Sequence, residues 1–279
     1  MARDLLPMVR DKLGDLYTIE REIGRGGAAV VYLATTRDQH TVALKVLRPE
    51  LSITVAAERF LREIQFISRL EHPNIGQVLD SGERDWLVYY VMPYWDGPTL
   101  SSYLTKYRNL SIDDALRVGQ DLLDALAHAH QEGIVHRDVK PDNIILTKNG
   151  AVLLDFGIAR AIAVSGQTSL TKSGIAIGTS AYMSPEQVSG LRDLDQRSDL
   201  YSVGCVLFEC LAGRPPFVHR SESLVLQSHI REKAPDVRTL VPSVPDAFSE
   251  AIARALYKQP DQRWASAREM SAALTAAAQ

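Results

Sequence analysis

The hydrophobic pattern of the chain changes type near Gly97 and Pro98. Before this point, short runs rich in Val, Ile, Leu and Tyr are separated by turn-forming residues, a pattern that predicts β-strands in antiparallel hairpins. The predicted strands comprise residues 17–24, 30–36, 41–47 and 86–92. Residues 56–70 interrupt them with apolar side chains at three- or four-residue spacing, which predicts an amphipathic helix closed by Pro73.

Helical spacing prevails after Pro98. In residues 112–130 apolar side chains recur on one helical face, and Ser111, Asp113 and Asp114 mark the N-terminus, because hydroxyl and carboxylate groups satisfy the free N–H groups of a first turn. Further helices are predicted at residues 198–211, 221–231, 247–257 and 265–277. The expected fold class is therefore α+β, with a small β-rich half, a larger helical half and a cleft between them for a ligand.

The composition narrows the class of protein. A chain of 279 residues, 46% of them hydrophobic, is globular and longer than one core usually organises. The net charge of −3 offers no basic field for nucleic acid or an anionic membrane, and no apolar run approaches the roughly 20 residues of a spanning helix. The charged N-terminus does not suit a signal peptide. Cys205 and Cys210, five residues apart in an apolar segment, suit neither a disulfide framework nor a metal site and favour a reducing cytoplasm.

A glycine-rich segment joins the first two predicted strands. It comprises Ile23, Gly24, Arg25, Gly26, Gly27, Ala28, Ala29, Val30 and Val31. Its glycines allow backbone N–H groups to approach an anion, although a plain hairpin turn explains them equally well when they are taken alone. Lys45 follows in an otherwise apolar strand, where an ammonium group is costly to bury without a partner. Glu63, on the amphipathic helix, can supply that partner, and the pair would present the ammonium group to phosphate oxygens.

The densest polar cluster follows the apolar pair Ile134 and Val135. It reads His136-Arg137-Asp138-Val139-Lys140-Pro141-Asp142-Asn143 and precedes another apolar run. Such a loop gathers acids, cations and a carboxamide at one point. A second carboxylate, Asp155, ends the next buried strand, and carboxylate and amide oxygens are the ligands that Mg²⁺ prefers. Asn143 and Asp155 are therefore candidate metal ligands.

These motifs occur in an order that resembles the eukaryotic-like (Hanks-type) serine/threonine protein kinases of bacteria, from about Tyr17 to Trp264. The resemblance implies a bilobal fold with an N-terminal extension at residues 1–16, an ATP-binding N-lobe at 17–95 and a catalytic C-lobe at 96–279. It also implies that Lys45, fixed by Glu63, binds ATP phosphates beneath the glycine-rich loop. Ala29 departs from the family pattern, which has its third glycine there.

The catalytic roles follow from the same resemblance. Asp138 corresponds to the base that orients the substrate hydroxyl, and Lys140 to the cation that neutralises the transferring phosphoryl group. Asn143 and Asp155 correspond to the ligands of Mg²⁺, with Mn²⁺ as an alternative. Two structural contacts are also implied: an ion pair between Glu186 and Arg263, and support of the loop at residues 136–138 by Asp199. The His136 side chain is expected to pack in a hydrophobic spine with Phe156 and Ile67.

The resemblance also implies an adenine site and a hinge. Met92 occupies the gatekeeper position, Pro93 offers a carbonyl and Trp95 offers the N–H donor. Val31, Ala43 and Ile145 correspond to the apolar floor and roof of the adenine slot, although each is explained equally well as plain core.

The acceptor class and regulation are read from the segment around Thr179. Lys140, together with Gly178 and Thr179, is similar to serine/threonine kinases, with Thr179 close to the acceptor hydroxyl. The polar segment before it is expected to be a mobile loop that is autophosphorylated and then bound by Arg137. The expected sites are Thr171 and Ser173, with Thr168 and Ser169 as secondary sites.

The sequence therefore predicts an ATP-dependent serine/threonine protein kinase that acts on protein hydroxyls and on itself. The alternatives are a pseudokinase scaffold, which usually lacks one of the catalytic residues present here, and a small-molecule kinase. No nucleic acid partner or membrane segment is expected, and a homodimer is left open. The expected location is cytoplasmic, with the cytosolic portion of a membrane-anchored protein as a variant. His128 and His130 are interpreted as solvent-facing or capping residues, and the apolar cluster at residues 5–13 as a segment docked on the small half or on a partner.

Overall fold

The computed structural model describes residues 4–48, 57–156, 179–191 and 193–277, and their contacts divide them into two units. One unit holds the described residues up to Trp95 apart from residues 72–75. The other holds residues 72–75 together with the described residues from Asp96 onward. Residues 72–75 belong to the large unit because the Asn74 side chain donates to the carbonyl of Ala151 at 2.8 Å and the Asn74 carbonyl accepts from Leu153 N–H at 2.9 Å.

In its described residues, the small unit has a five-stranded antiparallel sheet and two α-helices. The strands are β1 (Tyr17–Arg25), β2 (Ala29–Thr36), β3 (Thr41–Leu47), β4 (Asp80–Arg84) and β5 (Leu87–Pro93), in the spatial order β1-β2-β3-β5-β4. Helix α1 (Leu6–Leu13) precedes the sheet and α2 (Ala57–Ile67) lies between β3 and β4 in the sequence. The four strands predicted before Gly97 are all present, with ends within one residue of those predicted.

One hydrophobic core of the small unit lies on the face of the sheet that α1 covers. Alternate strand residues such as Val42, Leu44 and Val46 are buried there with Val9 and Leu13 of α1. Strand side chains point to opposite faces in turn, so the periodicity of β3 dictates this arrangement. The structure thus places the N-terminal apolar cluster on the small unit of its own chain.

Helix α1 is also tied to β1 by polar contacts. The Arg10 guanidinium donates to the carbonyl of Ile19 at 2.9 Å and to that of Glu20 at 2.6 Å. The register of β1 against β2 shifts between Ile19 and Arg21. Arg10 therefore satisfies backbone acceptors where the sheet is irregular.

The large unit is mostly helical. Its helices are α3 (Leu100–Tyr107), α4 (Ile112–Gln131), α5 (Pro185–Val188), α6 (Gln196–Ala212), α7 (Glu222–Arg231), α8 (Asp246–Ala255) and α9 (Ala267–Ala276). A two-stranded antiparallel ribbon, β6 (Ile144–Thr147) and β7 (Gly150–Leu153), completes it. Helix α6 is buried on nearly all sides, with α4 and α8 packed against it, and ends at Gly213, which adopts a left-handed conformation (φ 69°) that suits glycine. No helix among the described residues is long and apolar enough to cross a membrane.

The structure corrects the sequence interpretation at β4. The residues just before the predicted strand at 86–92 were expected to separate strands as a turn, yet Asp80–Arg84 forms an edge strand paired with β5. The turn is shorter and comes later, because Asp85 (φ 49°) and Trp86 (φ 63°) both have the positive φ of a two-residue hairpin loop. Trp86 therefore belongs to the turn and not to the strand.

The helices show smaller differences. Helix α2 ends at Ile67, well before Pro73, so that proline does not close it. Helices α1, α3 and the short α5 were not predicted. The remaining predicted helices begin and end within two residues of their predicted limits.

A buried ion pair joins distant parts of the large unit. Arg263 donates to both carboxylate oxygens of Glu186, at 2.7 Å each, and Ser198 Oγ donates to Glu186 Oε1 at 2.6 Å. The other guanidinium hydrogens bind the carbonyls of Arg197, Tyr257 and Lys258. All five donors of the guanidinium are thereby used. Burial alone would raise the pKa of Glu186, but the hydrogen bonds from Arg263 and Ser198 hold it below its ordinary value.

We expect Glu186→Gln to lower the free energy of unfolding by about 3 kcal/mol at pH 7, because the change leaves the Arg263 charge buried without its partner. Glu250→Gln, on an exposed position of α8, is the matched control and should change stability by less than about 0.5 kcal/mol. Urea denaturation at pH 7 measures both variants. A stability equal to that of the wild type would contradict the assigned role of the ion pair.

The stability that the ion pair between Glu186 and Arg263 contributes depends on pH. A carboxylate with a depressed native pKa adds stability that is complete above its unfolded pKa of about 4.3 and is lost as the pH falls through the native value. The difference between the wild type and Glu186→Gln should therefore shrink below about pH 4.3.

Candidate active site

Four candidate residues lie on the face of the small sheet opposite the α1 core. Val31 pairs with Lys45 across β2 and β3, and Ala43 pairs with Met92 across β3 and β5. Since Val42 and Leu44 point toward the α1 core, alternation directs Ala43 and Lys45 to the other face. The sheet thus brings the predicted lysine and three of the predicted adenine-site residues together on one surface.

The glycine-rich segment is a β-hairpin connection. Gly26, Gly27 and Ala28 form the turn between β1 and β2, and Gly26 N–H donates to the Ala29 carbonyl at 2.9 Å. Ala29, the departure from the family glycine pattern, is the first residue of β2 and is buried. The remaining members lie in the strands: Ile23, Gly24 and Arg25 in β1, and Val30 and Val31 in β2. A Cβ at position 29 is therefore accommodated within the sheet.

Lys45 and Glu63 belong to the same small unit, on β3 and α2. The Lys45 ammonium lies 5.7 Å from the ring centroid of Tyr90, its neighbour across β5. The predicted hinge follows directly: Met92 is buried, Pro93 ends β5, and half-buried Trp95 comes two residues later. Pro93 lacks an N–H group, so only its carbonyl can serve a ligand.

In the large unit, the β6–β7 ribbon brings the two predicted metal ligands close together in the fold. Asn143 directly precedes β6, and its carbonyl accepts a hydrogen bond from Leu154 N–H at 2.8 Å. Leu154 is followed by Asp155, so the pairing of the ribbon aligns the backbones of the two candidates. Ile145 lies in β6, beside this end of the ribbon.

The donor chemistry of Asn143 and Asp155 fits Mg²⁺. The Asn143 side-chain NH₂ group donates to the Asp138 carbonyl at 2.8 Å and to Asp138 Oδ2 at 3.0 Å, which leaves its amide oxygen as the atom for a cation. Across the described part of the chain, no cluster of three or more His, Cys, Asp or Glu residues could hold a metal ion alone. A cation at this pair would therefore need further oxygen ligands, such as phosphate oxygens.

Asp138 lies at the centre of a hydrogen-bonded group. Lys140 Nζ donates to its two carboxylate oxygens at 2.7 and 3.0 Å. The Asp138 side chain retains 23% exposure, so its carboxylate can be reached from solvent. The structure thus brings Asp138, Lys140 and Asn143 together, as the sequence predicted.

The loop that carries Asp138 rests on a buried carboxylate. Asp199, in the first turn of α6, accepts from the backbone N–H groups of His136 and Arg137 at 2.8 Å each, which confirms the predicted support. His130 Nε2 also contacts Asp199 Oδ2, at 2.8 Å. Burial alone would raise the pKa of Asp199, but the hydrogen bonds from His130 and the backbone hold it below its ordinary value.

The interpretation of His130 as a solvent-facing or capping residue is wrong. Its side chain is only 4% exposed, because the C-terminal end of α4 lies against the first turn of α6. Its spacing along α4 did not reveal this role, since its partner lies 69 residues later in the chain.

His136 links the loop to the residue before Asp155. Its Nδ1 accepts from Asp138 N–H at 3.1 Å, and its Nε2 lies 2.8 Å from the Leu154 carbonyl. These partners assign the neutral tautomer with the proton on Nε2. The ring packs against Phe156 with centroids 4.5 Å apart, as the sequence predicted. Both ring nitrogens are used structurally.

The described residues include only some of the predicted regulatory residues. Thr168, Ser169, Thr171 and Ser173 lie outside the described residues, as does the side chain of Thr179. Arg137 precedes Asp138 with a positive φ of 70°.

One contact of this loop was missed: the Gln187 side chain donates to the Arg137 carbonyl at 2.7 Å. Ser184 and Gln187 have the spacing of a capping box, which was the only sequence signal for this contact.

Comparison with known proteins agrees with this geometry. The model of the protein kinase domain family matches residues 17–274. The chain is 43% identical to a probable serine/threonine-protein kinase, SCO3848, of Streptomyces coelicolor, with 93% of this chain and 39% of the relative covered. It is 42% identical to the serine/threonine-protein kinase PknB of Mycolicibacterium smegmatis, with 94% and 43% covered. For the serine/threonine-protein kinase PrkC of Bacillus subtilis, the identity is 38% and the coverage 95% and 41%.

The chain spans about two fifths of the length of these relatives. Within that span, the match of the family model covers both the sheet of the small unit and the helices of the large unit. The chain therefore belongs to the protein kinase domain family and has its bilobal α+β fold.

Proposed function

We propose that the chain is an ATP-dependent serine/threonine protein kinase. The observation that carries the proposal is the group formed by Asp138, Lys140 and Asn143, held on buried Asp199 and joined through the β6–β7 ribbon to Asp155. Phosphoryl transfer requires little covalent chemistry from a protein, so catalysis depends on positioning and on cationic stabilisation. This group supplies both.

In the reaction, Asp138 orients the acceptor hydroxyl and accepts its proton as the oxygen attacks the γ-phosphorus of ATP. The bond between that phosphorus and the bridging oxygen of ADP breaks, and Lys140 neutralises charge on the transferring group. Asn143 and Asp155 would hold Mg²⁺, with Mn²⁺ as an alternative. When bound, the ion neutralises charge on the phosphate oxygens.

The small unit supplies nucleotide binding in this proposal. Lys45, positioned by Glu63, binds the α- and β-phosphates, and residues 23–31 cover them with backbone N–H groups. The Pro93 carbonyl and the Trp95 N–H bind the adenine edge. The faces of the adenine ring pack against Val31, Ala43 and Ile145, and Met92 is the gatekeeper.

Regulation and setting are part of the proposal. The chain phosphorylates Thr171 and Ser173, and secondarily Thr168 and Ser169, and Arg137 binds the phosphate. Thr179 shapes the acceptor site for a Ser or Thr hydroxyl. The proposal also includes protein substrates and a cytoplasmic setting. The two buried free cysteines support that setting.

The carboxylate of Asp138 provides the first test. We expect Asp138→Asn to lower kcat for phosphate transfer to a generic basic protein by about a hundredfold or more, since an amide cannot accept the hydroxyl proton. Asp113→Asn, an exposed change of the same type on α4, should keep wild-type activity. Transfer of labelled phosphate measures both, and undiminished transfer by Asp138→Asn would refute the assigned base.

The Lys45 ammonium provides the second test. We expect Lys45→Met to reduce kcat/KM for ATP by about a hundredfold or more, because phosphate charge loses its cation. The control is Lys148→Met, an exposed change in the large unit. A wild-type chain that binds nucleotide without transferring phosphate would instead favour the pseudokinase alternative, and transfer to metabolites alone would favour a small-molecule kinase.

Autophosphorylation provides the third test. Incubation with ATP and Mg²⁺ followed by phosphopeptide mapping should find phosphate on Thr171 and Ser173, and none in the Asp138→Asn variant. An unmodified segment in an enzyme that phosphorylates other proteins would overturn this part of the proposal.

A further inference from the structure

The residue before Asp138 has an unusual backbone conformation. Arg137 has a φ of 70°, in the left-handed region that side chains with a Cβ rarely adopt. Such a conformation persists only where the surrounding structure holds the adjoining peptide groups. The direction of the Asp138 side chain depends on it, because the two residues share a peptide bond.

Both peptide groups around Arg137 are held by side chains from outside the loop. Its N–H donates to Asp199 Oδ1 at 2.8 Å, and its carbonyl accepts from Gln187 Nε2 at 2.7 Å. The carboxylate provides an acceptor on one side and the carboxamide a donor on the other. Asp199 was already predicted as a support, whereas Gln187 was not.

The orientation of the Gln187 carboxamide is determined by its other end. Gln187 Oε1 accepts from Ser184 N–H at 2.9 Å, within the capping box of α5. The oxygen is therefore assigned to the cap and the NH₂ group to Arg137. One side chain thus joins the start of α5 to the peptide group that precedes Asp138.

We infer that Gln187 is a positioning residue for phosphoryl transfer. By holding the Arg137 carbonyl, Gln187 fixes the direction of the Asp138 carboxylate. This inference rests on the proposed function, in which Asp138 is the base. The inference gives α5 a part in that function, because a side chain of α5 donates a hydrogen bond directly to the loop that carries Asp138.

The change Gln187→Glu tests the donor specifically. A carboxylate keeps an acceptor for Ser184 N–H but has no hydrogen to donate to the Arg137 carbonyl. We expect kcat to fall about tenfold, because the loop that carries Asp138 loses one hydrogen bond. The KM values for ATP and for the protein substrate should each change by less than about twofold. Gln227→Glu, at an exposed position of α7, is the matched control and should leave kcat unchanged.

Ser184→Ala separates positioning from helix stability. Ser184 Oγ accepts from Gln187 N–H at 3.4 Å, so its removal weakens the cap and leaves the Arg137 contact in place. We expect this variant to lower the melting temperature while kcat stays within about twofold of the wild type.

Should Gln187→Glu fail to fold, Gln187→Met provides a neutral side chain of similar size without the donor. A smaller residue is unsuitable, because it would leave room beside Arg137 for a water to replace the lost donor.

Hydrogen exchange provides a readout that does not depend on activity. The backbone N–H groups of residues 136–139 should exchange faster in the Gln187 variants than in Ser184→Ala. The inference is overturned if the Gln187 variants keep wild-type kcat and exchange, or if Ser184→Ala lowers kcat as much as they do. An inactive wild type would refute the proposed function, whereas exchange would still decide whether Gln187 holds the loop.

Discussion

The conformation of the loop that carries Asp138 depends on one buried carboxylate. Asp199 is almost fully buried, and a charge removed from water must be compensated by hydrogen bonds. It has three donors: the N–H groups of His136 and Arg137, and the His130 ring. An unsatisfied buried charge is far more costly than a satisfied one. Displacement of the loop is therefore unfavourable, because it would leave the buried Asp199 carboxylate without its hydrogen-bond donors.

The same restraint extends from the loop to the candidate metal ligands. The His136 ring contacts the Leu154 carbonyl, and Leu154 N–H in turn donates to the Asn143 carbonyl. The side-chain NH₂ group of Asn143 in turn donates to the Asp138 carbonyl. The contacts form a closed circuit, so Asp138 and the residue preceding Asp155 are positioned by the same set of hydrogen bonds.

The sequence predicted those features that depend on local patterns. Strands and helices with a strong apolar period were found nearly to the residue, and Asp138, Lys140 and Asn143 were recognisable because they lie within one short loop. Strand β4 was missed because an edge strand of polar residues is held by its backbone pairing to β5, which composition does not reveal. His130 and Gln187 were misread or missed because each acts through a partner at least fifty residues away.

The first turns of α6 show why such long-range contacts concentrate at one place. Ser198 binds Glu186, Asp199 binds the loop before Asp138, and Ser202 Oγ donates to the Tyr182 carbonyl at 2.8 Å. A helix buried on nearly all sides cannot leave polar side chains unpaired, so each must bind an adjoining segment. Helix α6 is therefore the common support for the loop before Asp138 and for the segment that leads into α5, and both are held in place by hydrogen bonds to the same helix.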